Sequence, residues 1–153
     1  MKKTLNYQVG LRWIGNTQPL TNFRYKKTYE VSFKNKPSIQ GSADPLFYGN
    51  PKLYNPEEML LAALSSCHMM SFFYLCTQHK ITIISYKDIT LGTLKMNTNG
   101  SGQFEEAILQ PTIETLEIDK TKIKELFVLA GSYCFIARSC NFNIKHQPKI
   151  ITS

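Results

Sequence analysis

Alternating apolar and polar positions dominate the first third of the chain. Residues 5–14 alternate through Leu5, Tyr7, Val9, Leu11 and Trp13, the period of a half-buried strand. Tyr25, Tyr29, Val31 and Phe33 set a second strand over 25–34. Asn35-Lys36-Pro37 then turns the chain toward a short third strand near 38–41. Residues 42–54, with Asp44-Pro45 and Gly49-Asn50-Pro51, show no period and read as loop.

The period changes at Asn55-Pro56-Glu57-Glu58. An Asn at the cap, a Pro in the first helical position and acids in the first turn announce a helix. Glu58, three residues after Asn55, completes an approximate capping box. The helix is predicted to run to about His79 and is apolar on most sides, through Leu60, Leu61, Leu64, Met69, Phe72 and Leu75. Such a helix is central rather than laid on a surface. A chain of 153 residues has little material to wrap it, which points to an oligomer.

Residues 81–96 read as one long strand, 97–102 as a hairpin turn, and 104–118 as the returning strand, with Pro111 at an edge or bulge. A second helix is predicted over about 120–139, its apolar stripe being Ile123, Leu126, Phe127, Ala130, Tyr133, Cys134 and Ala137. A final strand spans about 143–151. The order β-β-β-α-β-β-α-β is that of an α+β fold, and residues 1–153 form one domain.

Composition narrows the class. The most apolar stretch, Met59 to Cys76, is broken by Ser65, Ser66, His68 and Ser71 and falls short of the ~20 residues of a comfortable membrane span. Met-Lys-Lys-Thr resembles the start of a signal peptide, but Asn6, Gln8, Gly10 and Arg12 occupy the place of its apolar core. A soluble, cytoplasmic chain without membrane attachment is expected. Residues 1–36 carry eight cations against Glu30 alone, so the entire net charge of +7 lies there. These cations interleave with strand residues and no nucleic-acid-binding signature accompanies them, so a solvated face is expected rather than a nucleic-acid site.

The chemistry rests on four cysteines: Cys67, Cys76, Cys134 and Cys140. Neither they nor the three histidines show ligand spacing, so no metal is expected. In a reducing compartment a disulfide is catalytic or redox-sensing rather than structural. Within regular helices neither Cys67 with Cys76 nor Cys134 with Cys140 shares a face, so a functional pair must join the two cysteine segments. Cys67 lies roughly 18 Å along the helix from Asn55, too far for the helix N-terminus to stabilise a thiolate. A cation is needed, and the basic first hairpin is the rich source. His68 points about 100° away from Cys67 on a helix, which disfavours a Cys/His dyad.

The run Asn55-Pro56-Glu57-Glu58-Met59-Leu60-Leu61-Ala62-Ala63-Leu64-Ser65-Ser66-Cys67-His68-Met69 resembles the signature of the OsmC/Ohr family, the osmotically inducible and organic hydroperoxide resistance proteins. The second family element is similar to Ala130-Gly131-Ser132-Tyr133-Cys134-Phe135-Ile136-Ala137-Arg138-Ser139. The run Gly41 to Asn50 is similar to that of one OsmC-like branch. The resemblance implies antiparallel sheets packed on two central helices, in an intertwined homodimer with active sites at the subunit interface. It implies a cysteine-based peroxidase with no cofactor, recycled by an external dithiol (lipoamide-like or other). Cys67 matches the peroxidatic cysteine, Cys134 the resolving cysteine and Glu57 the family's acid. Where the family has an activating arginine this chain has Lys27, with Lys26 beside it and Arg24 three residues earlier. Lysine can lower a thiol pKa but cannot hold a carboxylate and a thiolate in one planar fork, so either Lys27 acts with reduced catalytic efficiency or the role shifts to Arg24. Cys76 and Cys140 match no catalytic position. The alternative is an OsmC-like dimer that binds an apolar ligand and has little peroxidase activity.

Overall fold

The computed structural model describes residues 2–17 and 25–153. They fall into two compact units, 1–59 and 60–153.

In the first unit, β1 (Val9–Trp13), β2 (Tyr29–Phe33) and β3 (Lys36–Gly41) form an antiparallel sheet in the order β1-β2-β3. The predicted first strand is only partly realised, since pairing covers Val9↔Phe33 to Trp13↔Tyr29. Arg12 lies opposite Glu30 and pairs with it at 2.7 Å. The turn between β2 and β3 is Lys34-Asn35, with Asn35 in the left-handed region at φ 57°, where Asn is well tolerated. Pro37 therefore lies inside β3 and not in the turn; β3 is an edge strand, where a missing N–H costs little. A short 3-10 helix, Pro45–Phe47, interrupts the loop, capped by the Asp44 carboxylate. Gly49 closes this loop so tightly that a Cβ there would strike the Ala43 carbonyl.

Helix α1 (Pro56–Gln78) starts as the capping residues require. The Glu58 N–H donates to Asn55 Oδ1 at 2.8 Å, and the Asn55 N–H donates to Glu58 Oε2 at 3.2 Å. The helix is 23 residues long, so by length and composition alone it could cross a membrane; the apolar stretch read from the sequence was shorter. Within the second unit it presents one buried stripe, Leu64, His68, Phe72, Leu75 and Cys76, whereas Met70 and Tyr74 are more than half exposed. Within the second unit the core thus takes one face of a helix expected to be buried all round.

The remaining elements of the second unit are β4 (Ile83–Lys87), β5 (Leu91–Met96), β6 (Gly102–Leu109), β7 (Thr112–Thr115), α2 (Lys120–Ala130), α3 (Phe135–Ser139), β8 (Asn143–His146) and β9 (Lys149–Thr152). Each long strand expected from the sequence is two strands with a break. Asp88 sits at the first break and accepts from Ser65 Oγ at 2.6 Å, Thr90 Oγ1 at 2.8 Å and the Gln110 N–H at 2.9 Å. Pro111 and Pro148 mark the other two breaks, lacking the N–H that would continue a ladder. The ladder resumes across them: the Gln147 N–H reaches Leu109 O at 2.9 Å and the Lys149 N–H reaches Pro111 O at 2.8 Å. The sheets β4-β7-β9 and β5-β6-β8 therefore change direction together at one level. The β6–β8 and β7–β9 pairings are parallel, not antiparallel, because each returns after a helical crossover.

The predicted second helix also divides. It stops at Ala130, turns through Gly131-Ser132-Tyr133 and resumes as α3 after Cys134, whose backbone is extended at φ −79°, ψ 109°. Leu64 and Phe72 of α1 pack with Ile123 and Phe127 of α2 and with Leu109 and Ile113 of the sheets in one buried cluster. The α+β class is as the sequence indicated; the number of elements is not.

Candidate active site

Cys67 sits on α1 one position before His68, just off the buried stripe, and is half-buried. Its carbonyl accepts from Ser71 Oγ at 3.0 Å, an ordinary turn-to-turn helix contact. Cys134 does not belong to a helical stripe. The end of α2 is held by the Cys134 N–H on Ala130 O at 2.9 Å, and Cys134 then caps α3, its sulfur accepting from the Ala137 N–H at 3.3 Å. The break in the helix delivers this buried thiol to Cys67.

Both thiols are free, and Cys67 is among the groups that act on the Cys134 thiol. Burial pushes the Cys134 thiol up to about 11 and a hydrogen bond with Cys67 adds to the rise; the Ala137 N–H opposes it. Cys134 is thus held as the protonated thiol. Cys76 is buried on the core stripe and its thiol is pushed up to about 12 by burial alone. Cys140 is half-buried, its thiol raised for the same reason.

Cys67 opens on a cleft of about 770 Å³, walled mainly by Met70, Tyr74, Tyr133 and Phe135, with Arg138 also lining it. Tyr74 and Tyr133 stand with ring centroids 6.1 Å apart. The sequence pattern assigns none of these to a cleft. The apolar period predicts Tyr133 as a buried stripe residue, but the break after Ala130 turns it outward, 48% exposed. Only the proximity of Arg138 to Cys134 in the chain could have drawn attention to it.

His68 is fully buried. Its Nε2 lies 2.9 Å from Phe127 O, and its ring packs on Phe127 at 4.5 Å and on His146 at 4.9 Å. Burial, then the nearby His146, lowers its pKa to about 4. It is a neutral core imidazole that ties α1 to α2.

The other site residues inferred from the sequence lie in the first unit. Lys27 holds its ammonium 3.2 Å from the centre of the Tyr25 ring, a cation–π contact. It lines a cleft of about 430 Å³ with Leu11, Trp13, Tyr29 and Pro56. Glu57 is the second residue of α1 and half-buried. The Tyr29 hydroxyl is raised by burial and then by the charge of Glu57, which places Tyr29 and Glu57 together. Lys26 is exposed, and its carbonyl accepts from the Trp13 indole at 2.8 Å. Arg24 lies outside the described residues. Among the described residues no cluster of three or more potential metal ligands occurs.

A buried thiol beside a half-buried one is thus carried by an α+β scaffold. The chain belongs to the OsmC-like protein family, whose sequence profile matches residues 49–149. The fold is similar to that of an OsmC-like protein of unknown function from Vibrio cholerae, with 25% identity, a TM-score of 0.83 and coverage of 97% of this chain and 100% of that one. An OsmC-like protein from Mycoplasma pneumoniae shares the fold at 17% identity and TM-score 0.74, covering 99% of each chain. An organic hydroperoxide resistance protein from Elizabethkingia anophelis shares it at 19% identity and TM-score 0.69, covering 99% of this chain and 100% of that one. No curated protein gives a significant match.

Proposed function

We propose that this protein is a cytoplasmic thiol peroxidase that reduces organic hydroperoxides. What supports the reading is the placement of the two cysteines, Cys67 half-buried and opening on an apolar cleft and Cys134 fully buried with Cys67 acting on its thiol. The Cys67 thiolate attacks the distal oxygen of ROOH. An S–O bond forms, the O–O bond breaks, and the departing alkoxide takes a proton to become ROH. Cys67 is left as a sulfenic acid. The Cys134 thiol condenses with it, forming the disulfide and releasing water. An external dithiol returns both cysteines to thiols by exchange and is itself oxidised to a disulfide.

A cation stabilises the attacking thiolate. Lys27 or Arg24 fills that role, with Glu57 orienting it. The protein works as a homodimer: apolar side chains stand open on β1, where Val9 is 62% and Leu11 71% exposed, and on α1 at Met70. Light scattering giving a mass near 17.5 kDa at micromolar concentration would overturn the dimer.

The test of the activity is consumption of cumene hydroperoxide in the presence of a lipoamide-type dithiol. Peptide mapping after one equivalent of peroxide is expected to find Cys67 linked to Cys134. Absence of both consumption and linkage would overturn the reading in favour of an apolar-ligand binder.

A further inference from the structure

The buried side of α1 makes a polar contact that the chemistry above does not use. His68 directly follows Cys67 and is fully buried. Its Nε2 lies 2.9 Å from the Phe127 carbonyl of α2. A carbonyl only accepts, so Nε2 carries the proton and donates it. Nδ1 is then the bare nitrogen, and it has no hydrogen-bond partner among the described residues. The rings of Phe127 and His146 pack on the imidazole at 4.5 and 4.9 Å and hold it at this angle.

The Phe127 carbonyl is open to His68 because α2 ends. In a continuing helix it would accept from the Gly131 N–H. The Gly131 N–H turns instead to Val128 O at 3.1 Å, and the Ser132 N–H to Leu129 O at 2.9 Å, the tightened last turn of a helix. A buried carbonyl without a partner is costly, and His68 supplies the donor. Further along, Ala130 O accepts from the Cys134 N–H at 2.9 Å, and Cys134, extended, lies where Cys67 acts on its thiol. His146 sits under the same break: a Cβ on Gly131 would lie 3.5 Å from its Nε2. The apolar period of α2 runs on through Tyr133 and Ala137, so this stretch also suits an unbroken helix. There Gly131 and His68 would share one carbonyl; the break gives each its own.

We infer that His68 is a positioning residue for disulfide formation: its Nε2–H holds α2 at the break that presents the Cys134 sulfur to Cys67. The inference rests on the peroxidase reading for the step it serves. In that step the Cys134 thiol gives up its proton, its sulfur bonds to the Cys67 sulfur, and the sulfenic hydroxyl leaves with the proton as water. The rate follows the effective concentration of one sulfur at the other, which orientation sets. His68 raises it by tying the helix that carries Cys67 to the backbone that leads into Cys134. The attack on peroxide needs Cys67 and its cation and does not draw on this tie.

The experiment equilibrates the full chain with glutathione buffers and reads the Cys67–Cys134 disulfide by peptide mapping, which gives the effective concentration without any peroxide. The effective concentration is expected to fall about tenfold in His68→Phe, the scale of one buried hydrogen bond. It is expected to recover in His68→Gln, whose amide reaches the place of Nε2, and to stay low in His68→Asn, whose amide falls short of it. Ile123→Val, a core change on α2 that leaves the bond in place, is expected to keep the wild-type value. After cumene hydroperoxide, the Cys67 sulfenic acid trapped by dimedone is expected to form at the wild-type rate in His68→Phe and to live about ten times longer. If His68→Phe does not fold, the contrast between His68→Gln and His68→Asn carries the same test. An unchanged value in His68→Phe, an equal fall in Ile123→Val, equal values for Gln and Asn, or no Cys67–Cys134 disulfide in the wild type overturns the inference. If no peroxide is consumed while the glutathione equilibria shift as expected, the peroxidase reading fails and the positioning role stands.

Discussion

Cys67 and Cys76 stand nine residues apart on one helix and live in opposite environments. Cys76 continues the stripe Leu64, His68, Phe72 in steps of four and is 1% exposed, with nothing but burial acting on its thiol. Cys67 lies one residue off that stripe, about 100° around the axis, where it meets a second sulfur and an open cleft. The same side chain on the same helix is a small hydrophobe in one place and the proposed nucleophile in the other. What separates them is the angle at which each leaves the helix. The core covers one face of α1 and stops short of the next.

The contrast breaks first at the sulfur itself. Cys67→Ser is expected to reduce hydroperoxide turnover by at least about a thousandfold, while Cys76→Ala keeps most of it. Equal losses in a peroxide-consumption assay would erase the distinction. Cys134→Ser sharpens it: one equivalent of peroxide is expected to oxidise Cys67, detected as sulfenic acid by dimedone trapping, and multiple turnover through a disulfide to stop.

The buried side is tested through stability. Phe127 is fully buried between His68 and Phe72, and Phe127→Ala is expected to cost about 3–5 kcal/mol in urea unfolding. His68 supplies a pH dependence of known sign. Its folded pKa of about 4 lies below the ordinary 6.5, so the unfolded chain binds the extra proton first. Stability is full above about pH 6.5, falls as the pH drops toward 4, and loses about 3 kcal/mol in all on this account. The lowered His146 acts in the same direction. Urea midpoints between pH 7 and 4 are expected to fall more in the wild type than in His68→Phe. The smallest effect concerns the start of α1: Asn55→Ala, which removes the 2.8 Å cap on Glu58, is expected to cost about 1 kcal/mol.

The distinction between Cys67 and Cys76 was only half legible. Helical phase alone puts the two on different faces but does not say which face the core takes, since α1 is apolar on most sides. Cys134 was misplaced for a related reason. Its neighbours Tyr133 and Ala137 continue the apolar period of α2, so nothing in the pattern announces the break. Gly131 was a weak sign, as an isolated glycine near a helix end often is. The long strands failed in the same manner: Pro111 and Pro148 were visible, but whether a proline bulges a strand or ends it depends on what pairs beside it.

Local order and motif were determined by the sequence alone: the cap of α1 at Asn55, the turn after Met96, the α+β class and the two cysteine segments. These depend on residues within a turn or two of one another, where backbone geometry and short-range hydrogen bonds decide. The meeting of Cys67 with Cys134, the common level at which the sheets bend, and the cation lining the cleft were decided only by tertiary structure. Each joins residues separated by tens of positions, and their contact depends on how buried side chains fill space between elements. A one-dimensional pattern gives each face its period and leaves open what that face will touch.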